Sequence, residues 1–450
     1  MSMHKPYILL DKEKMVIISL LLFAFIFRLF GALQVPYVFD ELTKEKVALG
    51  ISFHISDLRV PIGDQRISLP LLNTYLMKIG YDLFGRSILG GRILIVILAT
   101  IGLYFIYILA KNGLTKEKAF YALFLSTFSQ FHIGWSRINE EDSLLLFFVP
   151  FVLYAFYRAI TNDQRKMLVL ASIFMGIGAL AKPTILLLVP PLFLFCAITK
   201  EYRKFVWDAN NYIIIIGIPL IILMPYIYWN ISHGLCDFKF YLEEIHSFGL
   251  SLVPITLFLG EAIVYYCAYW LKDSVIEYLT SPEYPFMHWP LGIICLIGSL
   301  YAFNSKKSFF FRFLLTNFFI IFIALFLVKP HGYIHLDEFW WASPLFVPSI
   351  IFAAHLLVDL KNSSKGFSLA VIAFLLYLVF HAVNFVKLPE NCFVPRKGII
   401  TRHLYGRANF YLSEGKRDKA KELYRLILKM DPNEAMERQV KEIILELPFE

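Results

Sequence analysis

The chain has 450 residues, of which 58% are hydrophobic and 17% charged, and its mean hydropathy is +0.62. Soluble domains carry roughly 45 to 50% apolar and about 25% charged residues, so this composition excludes an ordinary soluble enzyme, a disordered chain and a disulfide-stapled one. The net charge of +8 is first a signal of membrane topology, and it does not indicate a nucleic-acid partner.

Eleven long apolar runs, each bounded by charged residues or proline, predict membrane-spanning helices. The first run contains Arg28 and is followed by no small-residue cleavage site, so we expect a retained anchor and not a cleaved signal peptide. The runs lie near residues 15–33, 90–110, 119–135, 143–160, 167–181, 183–199, 212–230, 287–303, 313–328, 340–358 and 367–386. The predicted fold is therefore an all-α polytopic membrane protein.

The loops between these runs alternate in basic residues. Five loops together carry 14 lysines and arginines, whereas the short loops of the other set carry only Arg137, Lys182 and Lys329. By the positive-inside rule, this alternation predicts a multi-pass protein of the plasma (inner) membrane. Its N-terminus is expected in the cytoplasm and its C-terminal tail outside.

Two long outer segments, 34–89 and 231–286, contain amphipathic stretches that fit a helix lying flat at the membrane surface. These stretches are Leu71 to Phe84 and Phe258 to Leu279.

The outer tail, 387–450, resembles one tetratricopeptide helix-turn-helix repeat. Ala408 and Ala420 are small enough for two helices to approach, Gly415 suits the turn and Pro432 ends the second helix. A single repeat does not bury its own apolar face, so we expect residues 434–447 to add a capping helix or the unit to dock on the membrane domain. An ordinary helical hairpin is the alternative.

Asp40 and Glu41 follow directly after the first span, which places two carboxylates at the outer surface on one strand or turn. Such a pair suits one general base and one positioning group, because a carboxylate beside an apolar surface is a better proton acceptor. The alternative is that both acids are solvated and only mark the end of the span.

Residues 136–142 form the whole outer loop between the third and fourth predicted spans. Arg137 offers a fork of donors that suits a phosphate, and Asp142 either caps the next helix or faces a catalytic cleft. For Glu140 and Glu141, helix capping with an internal salt bridge is the simpler interpretation.

Lys182 lies at the tip of a predicted hairpin, and Lys329 precedes the tenth span. An ammonium at this interface either snorkels toward water or binds a lipid phosphate. His331 and His335 are weak candidates for a divalent cation together with Asp337, because their spacing in a loop is not specific. No cofactor is otherwise indicated.

The five cysteines follow no metal-binding or redox spacing. Cys196 and Cys295 lie in apolar runs and are expected to pack there, while Cys236 and Cys267 share an outer segment in which a disulfide is possible.

Taken in order, these residues resemble the polyprenyl-phosphate-dependent glycosyltransferases of the GT-C superfamily, in particular family 39. That family includes protein O-mannosyltransferases and the aminoarabinose transferase of lipid A. The matching elements begin with the acid pair Asp40-Glu41 and continue with Pro70, the stretch Leu83-Phe84-Gly85-Arg86-Ser87 and Arg92.

The second part of the resemblance is an arginine five residues before an acid that opens a Leu- and Phe-rich helix, here Arg137 and Asp142. A Gly-x-Leu-x-Lys-x-Pro-like turn follows at 178–183. The likeness covers residues 15–200 by motif and 201–386 by hydropathy. Family members often carry a lysine just before the proline of the first loop, whereas here Arg66 is the nearest base.

The resemblance implies a GT-C-like transmembrane catalytic domain over 1–386 and a separate tetratricopeptide-like tail over 387–450. It implies an inverting transferase that moves a sugar from a polyprenyl-phosphate donor to a hydroxyl or phosphate of a lipid, glycan or protein acceptor. Asp40 would be the base, with Glu41 and Asp142 orienting the acceptor or the base. The donor phosphate would contact residues among Arg137, Lys182, Arg66 and Lys329.

Two other functions are compatible with a polytopic helical chain. A flippase or transporter of lipid-linked sugars usually shows inverted repeats and ionisable residues at mid-membrane depth, whereas the acids here gather at one face. A non-catalytic scaffold with the tail as its binding module is the third alternative.

Overall fold

The fold was analysed in a computed structural model of the chain. The structure describes residues 12–34, 39–50, 59–62, 65–68, 71–235, 289–305, 308–328, 343–387, 405, 408, 412, 417–429 and 434–446. Within these residues the chain is helical apart from one short antiparallel hairpin, so the predicted helical architecture is confirmed in outline.

The described residues up to Ala179 form eight helices and the hairpin. In chain order they are α1 (Lys12–Gln34), α2 (Phe39–Gly50), β1 (Arg59–Ile62), β2 (Gln65–Ser68), α3 (Leu71–Phe84), α4 (Ile88–Gly113), α5 (Lys116–Phe128), α6 (Gln130–Ser136), α7 (Glu141–Thr161) and α8 (Arg165–Ala179). In the hairpin, Arg59 pairs with Ser68 and Ile62 with Gln65.

The second half begins with a 3₁₀ turn, Pro183–Leu188, which continues into α9 (Val189–Ile198). The helices that follow are α10 (Arg203–Trp207), α11 (Ala209–Tyr212), α12 (Ile218–Ser232), α13 (Trp289–Ala302), α14 (Phe309–Val328), α15 (Ser343–Ser363) and α16 (Lys365–Lys387). A five-residue π-helical stretch, Ile213–Gly217, joins α11 to α12. The tail contains α17 (Arg417–Lys429) and α18 (Glu434–Glu446).

Every one of the eleven predicted apolar runs contains helix, but fewer than eleven form long single helices. Among the described residues, six helices are long and apolar enough to cross a membrane, or up to seven if a pair bent by 108° near residue 199 forms one span. The prediction of a multi-pass membrane protein is confirmed in this coarser form, whereas eleven spans are not.

The predicted run 119–135 shows why the count differs. It is interrupted at Ser129, between α5 and α6. The buried Arg28 of α1 donates to the carbonyls of Ser126 and Thr127, at 3.3 and 3.0 Å, and contacts His132 Nδ1 at 3.3 Å. A guanidinium inside an apolar helix therefore bonds carbonyls beside a break in its neighbour, which satisfies part of its donor capacity.

The core lies between α4 and α7, whose backbones approach closely. A methyl group at Gly102 of α4 would lie 2.0 Å from the carbonyl oxygen of Leu146 in α7. Phe105 of α4 packs edge-on against Phe151 of α7, with ring centroids 4.8 Å apart. Helix α7 is buried along almost its whole length, which makes it the central helix of the bundle.

Helices α1 and α4 run antiparallel, which separates the bundle into two ends. At one end Glu13 accepts hydrogen bonds from Lys111 and Lys116, at 2.5 and 2.6 Å. At the other end Arg92 of α4 donates to the carbonyl of Ala32 at 2.7 Å. Lys111 and Lys116 belong to a loop predicted to be cytoplasmic, and we call the opposite end, where Arg92 lies, the site end.

The tail helices share a small apolar core. Tyr405, Ala408 and Leu412 are helical, and they pack with α17 and α18. The buried side chains of this core are Ala408, Ala420, Tyr424, Ile427 and Val440. Both small residues that the sequence placed between two helices are therefore buried. The turn and stop residues Gly415 and Pro432 lie outside the described residues, so the assignment of a tetratricopeptide repeat stays a prediction.

The structure also describes some of the predicted cysteine and amphipathic features. Cys196 and Cys295 are free thiols and are buried, as expected for packing residues. Cys236, Cys267 and the amphipathic stretch 258–279 lie outside the described residues. The stretch 71–84 does form a helix, α3, whose buried residues include Leu71, Met77 and Tyr81 together with the polar Asn73 and Thr74.

Candidate functional site

Four segments meet at the site end: α2, α3, the start of α4 and the turn between α6 and α7. Local sequence explains how α3 and α4 are joined there. Gly85 ends α3 with a φ of 78°, a left-handed conformation that favours glycine. Ser87 then caps α4 by accepting from the Gly90 amide at 3.1 Å. The stretch that carries part of the family resemblance is therefore a helix-to-helix turn that sets the direction of Arg92.

Glu41 is fully buried and held on both oxygens. Arg92 donates to it from two guanidinium nitrogens, from Nε to Oε1 at 2.7 Å and from a terminal nitrogen to Oε2. The backbone amide of Asn139 also donates to Oε1, at 2.6 Å. Three donors thus surround one carboxylate that has no exposed surface. A charge taken out of water needs this degree of pairing to be tolerated. The Glu41 carboxylate is therefore closed to solvent and joins α2 to α4 and to the turn between α6 and α7.

Asp40 precedes Glu41 in the first turn of α2. The sequence predicted the acid pair on a strand or turn, and the structure corrects this: both residues belong to a helix of 12 residues. The side chain of Asp40 is outside the described part. Its position in the chain nevertheless puts it one residue from the most tightly held carboxylate of the site end.

Lys44 lies one turn further along α2 and is also fully buried. Its ammonium donates to Glu140 Oε2 at 2.7 Å and to the Asn139 carbonyl at 3.1 Å, and Glu141 Oε1 lies at 3.6 Å. Glu140 also caps α7 in a reciprocal capping box with Ser143. The simpler interpretation of Glu140, helix capping, is thus confirmed, but its ionic partner comes from α2 and not from its own loop.

Asp142 and Lys182 form an ion pair between the first turn of α7 and the hairpin that follows α8. Asp142 is buried, and the side chain of Lys182 is 11% exposed. Pro183 begins the 3₁₀ turn immediately after Lys182, so the chain direction at the hairpin tip is set by the fixed φ of proline. The sequence assigned these two residues separate roles, whereas the structure brings them together.

Arg137 is buried at the end of α6, beside α1 and α16. A methyl group at Gly31 would lie 3.4 Å from its Cδ and 3.3 Å from Val386 Cγ1. Glycine at position 31 therefore lets the arginine side chain pass close to α1. Only Ile138 separates Arg137 from Asn139, which contacts Glu41, so Arg137 and the acid pair belong to the same end of the bundle.

The remaining predicted site residues are Arg66, Lys329, His331 and His335. Arg66 is in β2, opposite Pro61, and its side chain is outside the described part. Lys329, His331 and His335 lie outside the described residues altogether. Within the residues that are described, no group of three or more His, Cys, Asp or Glu side chains is placed to hold a metal ion.

Sequence reasoning missed the roles of Lys44, Asn73 and Asn139. Asn73 donates to Asn139 Oδ1 at 3.0 Å and to the Glu140 carbonyl at 2.7 Å, and all of these groups are buried. The available signal was weak: a lysine three residues after an acid pair, and asparagines without a motif. Their partners are 48 to 98 residues away in the chain, which no local pattern reveals.

Comparison with known proteins finds one matching family model and several solved structures of similar fold. The family model described as dolichyl-phosphate-mannose-protein mannosyltransferase matches residues 68–229. This stretch includes Arg92, Arg137, Asp142 and Lys182 and excludes the acid pair. No curated protein matches the sequence.

Three solved structures illustrate the similarity of fold. An oligosaccharyltransferase from Archaeoglobus fulgidus, in complex with Zn and sulfate, has a TM-score of 0.56 and 15% identity, over 87% of this chain and 55% of that one. AglB from the same organism, with an inhibitory peptide and a dolichol-phosphate, has a TM-score of 0.55 and 14% identity, over 92% of this chain and 59% of that one.

ArnT from Cupriavidus metallidurans, bound to undecaprenyl phosphate, has a TM-score of 0.54 and 14% identity, over 91% of this chain and 74% of that one. At such identity these matches establish a common fold. The chain spans only between half and two thirds of the two archaeal proteins.

Proposed function

We propose that this chain, a membrane protein with the fold of the GT-C glycosyltransferases, moves a sugar from a polyprenyl-phosphate donor to an acceptor hydroxyl, with inversion at the anomeric carbon. The matched family and the structural neighbours are glycosyltransferases. Two of these neighbours hold a prenyl phosphate, dolichol-phosphate in one and undecaprenyl phosphate in the other, which supports a lipid-linked donor for this chain.

The observation that carries the proposal is the ion-paired cluster at the site end. Glu41 pairs with Arg92, Asp142 with Lys182, and Lys44 with both Glu140 and Glu141. Such pairs cost desolvation energy and are not needed to hold a helix bundle together. Their concentration at one end, beside Asp40 and Arg137, is typical of a site whose charges are preorganised for a reaction.

In the proposed reaction Asp40 accepts the proton of the acceptor hydroxyl while that oxygen attacks the anomeric carbon. The bond between this carbon and the phosphate oxygen breaks, and polyprenyl phosphate leaves with the electron pair. Glu41, closed off by Arg92 and Asn139, positions α2 and does not take the proton. Arg137 and Lys182, with Arg66 and Lys329 as further candidates, neutralise the leaving phosphate.

Lys182 would exchange partners in this scheme. In the described structure its ammonium is held by Asp142, and a donor phosphate would compete with that carboxylate for it. Asp142 would then remain available to orient the acceptor. The phosphate gains a second negative charge as its bond to the sugar breaks, and the resulting dianion binds an ammonium more strongly than a single carboxylate does.

Replacing Asp40 by Asn tests the proposed base. The purified full-length protein in liposomes is given radiolabelled polyprenyl-phosphate sugars and a panel of lipid, glycan and peptide acceptors. Loss of a general base lowers the rate by about 100- to 10,000-fold, and we expect a loss in this range for D40N with unchanged thermal stability.

Glu45→Gln is the matched control, because Glu45 lies on the same helix and pairs with Arg86 at 3.2 Å near the surface. Unimpaired transfer by D40N would remove Asp40 from the mechanism. Movement of labelled lipid across the vesicle without any covalent product would instead favour a flippase.

A further inference from the structure

Asn139 is fully buried in the short turn between α6 and α7, and its backbone contacts two side chains of α2. Its amide donates to Glu41 Oε1 at 2.6 Å, and its carbonyl accepts from Lys44 Nζ at 3.1 Å. Glu41 and Lys44 are three residues apart and so lie on one face of α2. Two polar side chains on that face are therefore anchored to a single residue of the second loop.

The side chain of Asn139 contacts two further helices. Its Oδ1 accepts from Asn73 Nδ2 at 3.0 Å, and its Nδ2 donates to the carbonyls of Gly91 at 3.1 Å and Asn73 at 3.3 Å. Asn73 belongs to α3 and Gly91 to α4. Every polar atom of Asn139 is thus engaged, and the residue joins α2, α3 and α4 at one point.

Only an amide side chain of this length supplies both the acceptor oxygen and the two N–H donors that these contacts need. Aspartate keeps the acceptor but loses both donors and adds a negative charge close to Glu41. Leucine has the same branching at Cγ but is larger, and it leaves the buried carbonyls of Gly91 and Asn73 and the Asn73 amide without the Asn139 side chain as partner.

We propose that Asn139 is a positioning residue of the transfer reaction. It holds the acid pair of α2 at a fixed position relative to α3 and α4. The assignment rests on the proposed function, in which Asp40 of α2 is the base. Because Glu41 and Lys44 are both anchored on Asn139, a shift of this residue moves the first turn of α2. A misplacement of about 1 Å at a reacting group lowers a rate by about 100-fold.

Hydrogen exchange of the backbone amides tests the positioning without any substrate. Asn139→Asp and Asn139→Leu are compared with the wild-type chain in nanodiscs. We expect exchange in α2 to rise by about tenfold, because loss of the side-chain bonds to Asn73 and Gly91 frees the turn whose backbone anchors Glu41 and Lys44. Exchange in α5, residues 116–128, is expected to stay unchanged.

Asn112→Leu is the matched control for a lost asparagine amide. Asn112 donates to the Ile108 carbonyl at 2.6 Å at the opposite, exposed end of α4. This variant should leave exchange in α2 at the wild-type rate.

Transfer kinetics then separate positioning from a general loss of stability. We expect both Asn139 variants to lower kcat by about 100-fold with KM for the donor within about twofold, because the donor phosphate site is unchanged. N139D should also move the acidic limb of the pH-rate profile upward, since a nearby negative charge makes a carboxylate a stronger proton acceptor. N139L should leave that limb in place.

Combining Asn139→Leu with Asn73→Leu gives a double-mutant cycle for the amide pair. If the two asparagines act through one contact, the double variant has the kcat of the worse single variant. If the effects of the two substitutions on the free energy of activation add fully, the two asparagines do not act as one positioning unit.

Unchanged exchange in α2 overturns the proposal, and so does altered exchange with wild-type kcat. A wild-type chain that binds polyprenyl phosphate but transfers no sugar overturns the proposed function instead. In that case the exchange result alone decides whether Asn139 holds α2.

Discussion

Glu41 and Arg92 illustrate at the residue scale how the site end tolerates charge inside a membrane protein. The two side chains are buried, and the carboxylate is met by two nitrogens of the guanidinium and by a backbone amide. The pair itself adds little net stability, because desolvation offsets most of the attraction. Removing one partner is different, since the remaining charge stays buried without compensation.

Arg92→Met is therefore expected to destabilise the protein by about 3 to 5 kcal/mol. The measurement is unfolding of the purified chain in detergent, followed by tryptophan fluorescence. Arg86→Met serves as the control, because Arg86 pairs with Glu45 of the same helix α2 but is 59% exposed, and exposed pairs contribute about 0 to 1 kcal/mol. Equal losses in the two variants would contradict the buried-pair argument.

At the scale of helices, close backbone approach decides how the bundle packs. Gly102 of α4 lies against the backbone of Leu146 in α7, and Gly298 of α13 lies against the backbone of Phe352 in α15. Small residues at such contacts allow the dispersion contacts that hold helices together in lipid. The apolar periodicity of the sequence does not identify these positions, because any apolar residue fits it equally well.

Gly102→Ala is expected to separate α4 from α7 and to lower the melting temperature clearly, because its methyl group would lie 2.0 Å from a carbonyl oxygen. The check is thermal denaturation followed by size-exclusion chromatography. Gly366→Ala is the matched variant: its methyl group would meet only Ser364 Oγ at 3.9 Å, so it should melt as the wild type does. If both variants melt alike, the close approach of α4 and α7 is not what limits stability.

Tyr424 makes the tail hairpin sensitive to high pH. Burial raises the pKa of Tyr424 from 10 to about 12, because the apolar core disfavours the phenolate. Between these two values the unfolded chain loses the proton and the folded tail keeps it. The stability of the tail is therefore complete below pH 10 and falls as the pH rises toward 12.

Limited proteolysis of the tail between pH 8 and 11 measures this loss. Tyr424→Phe should abolish the dependence, because it removes the ionisable group while keeping the ring. A Tyr424→Phe tail that becomes protease-sensitive over the same pH interval as the wild type would assign the effect to another group.

At the scale of the whole molecule, the two ends of the bundle differ in charge chemistry. The end that carries Glu13, Lys111 and Lys116 is basic and partly exposed, whereas the site end contains the buried pairs Glu41–Arg92 and Lys44–Glu140. The alternation of basic loops predicts that the basic end faces the cytoplasm. The proposed reaction then takes place on the outer face, where lipid-linked sugars are presented.

Cysteine labelling tests this orientation in intact cells. In a background without the native cysteines, we expect a membrane-impermeant maleimide to label Leu445→Cys of the tail and not Lys116→Cys, although their exposures of 84% and 70% are comparable. After permeabilisation both should react. Labelling of Lys116→Cys alone in intact cells would reverse the topology and place the site end in the cytoplasm.

The sequence alone determined the membrane class, the helical content and the location of the acid pair and Arg137 near span ends. These features depend on composition and on residues close together in the chain, which hydropathy and charge patterns record directly. The same patterns did not locate the break at Ser129, which lies inside the apolar run 119–135, and the described helices confirm at most seven of the eleven predicted spans.

Only the tertiary structure decided which charges meet. Glu41 pairs with a residue 51 positions away, Lys44 with one 96 away and Asp142 with one 40 away. Which acid meets which base depends on how α2, α4 and α7 pack, and that packing follows from close contacts of the kind made by Gly102. Long-range pairing is set by the three-dimensional arrangement of helices, so local sequence patterns carried no record of it.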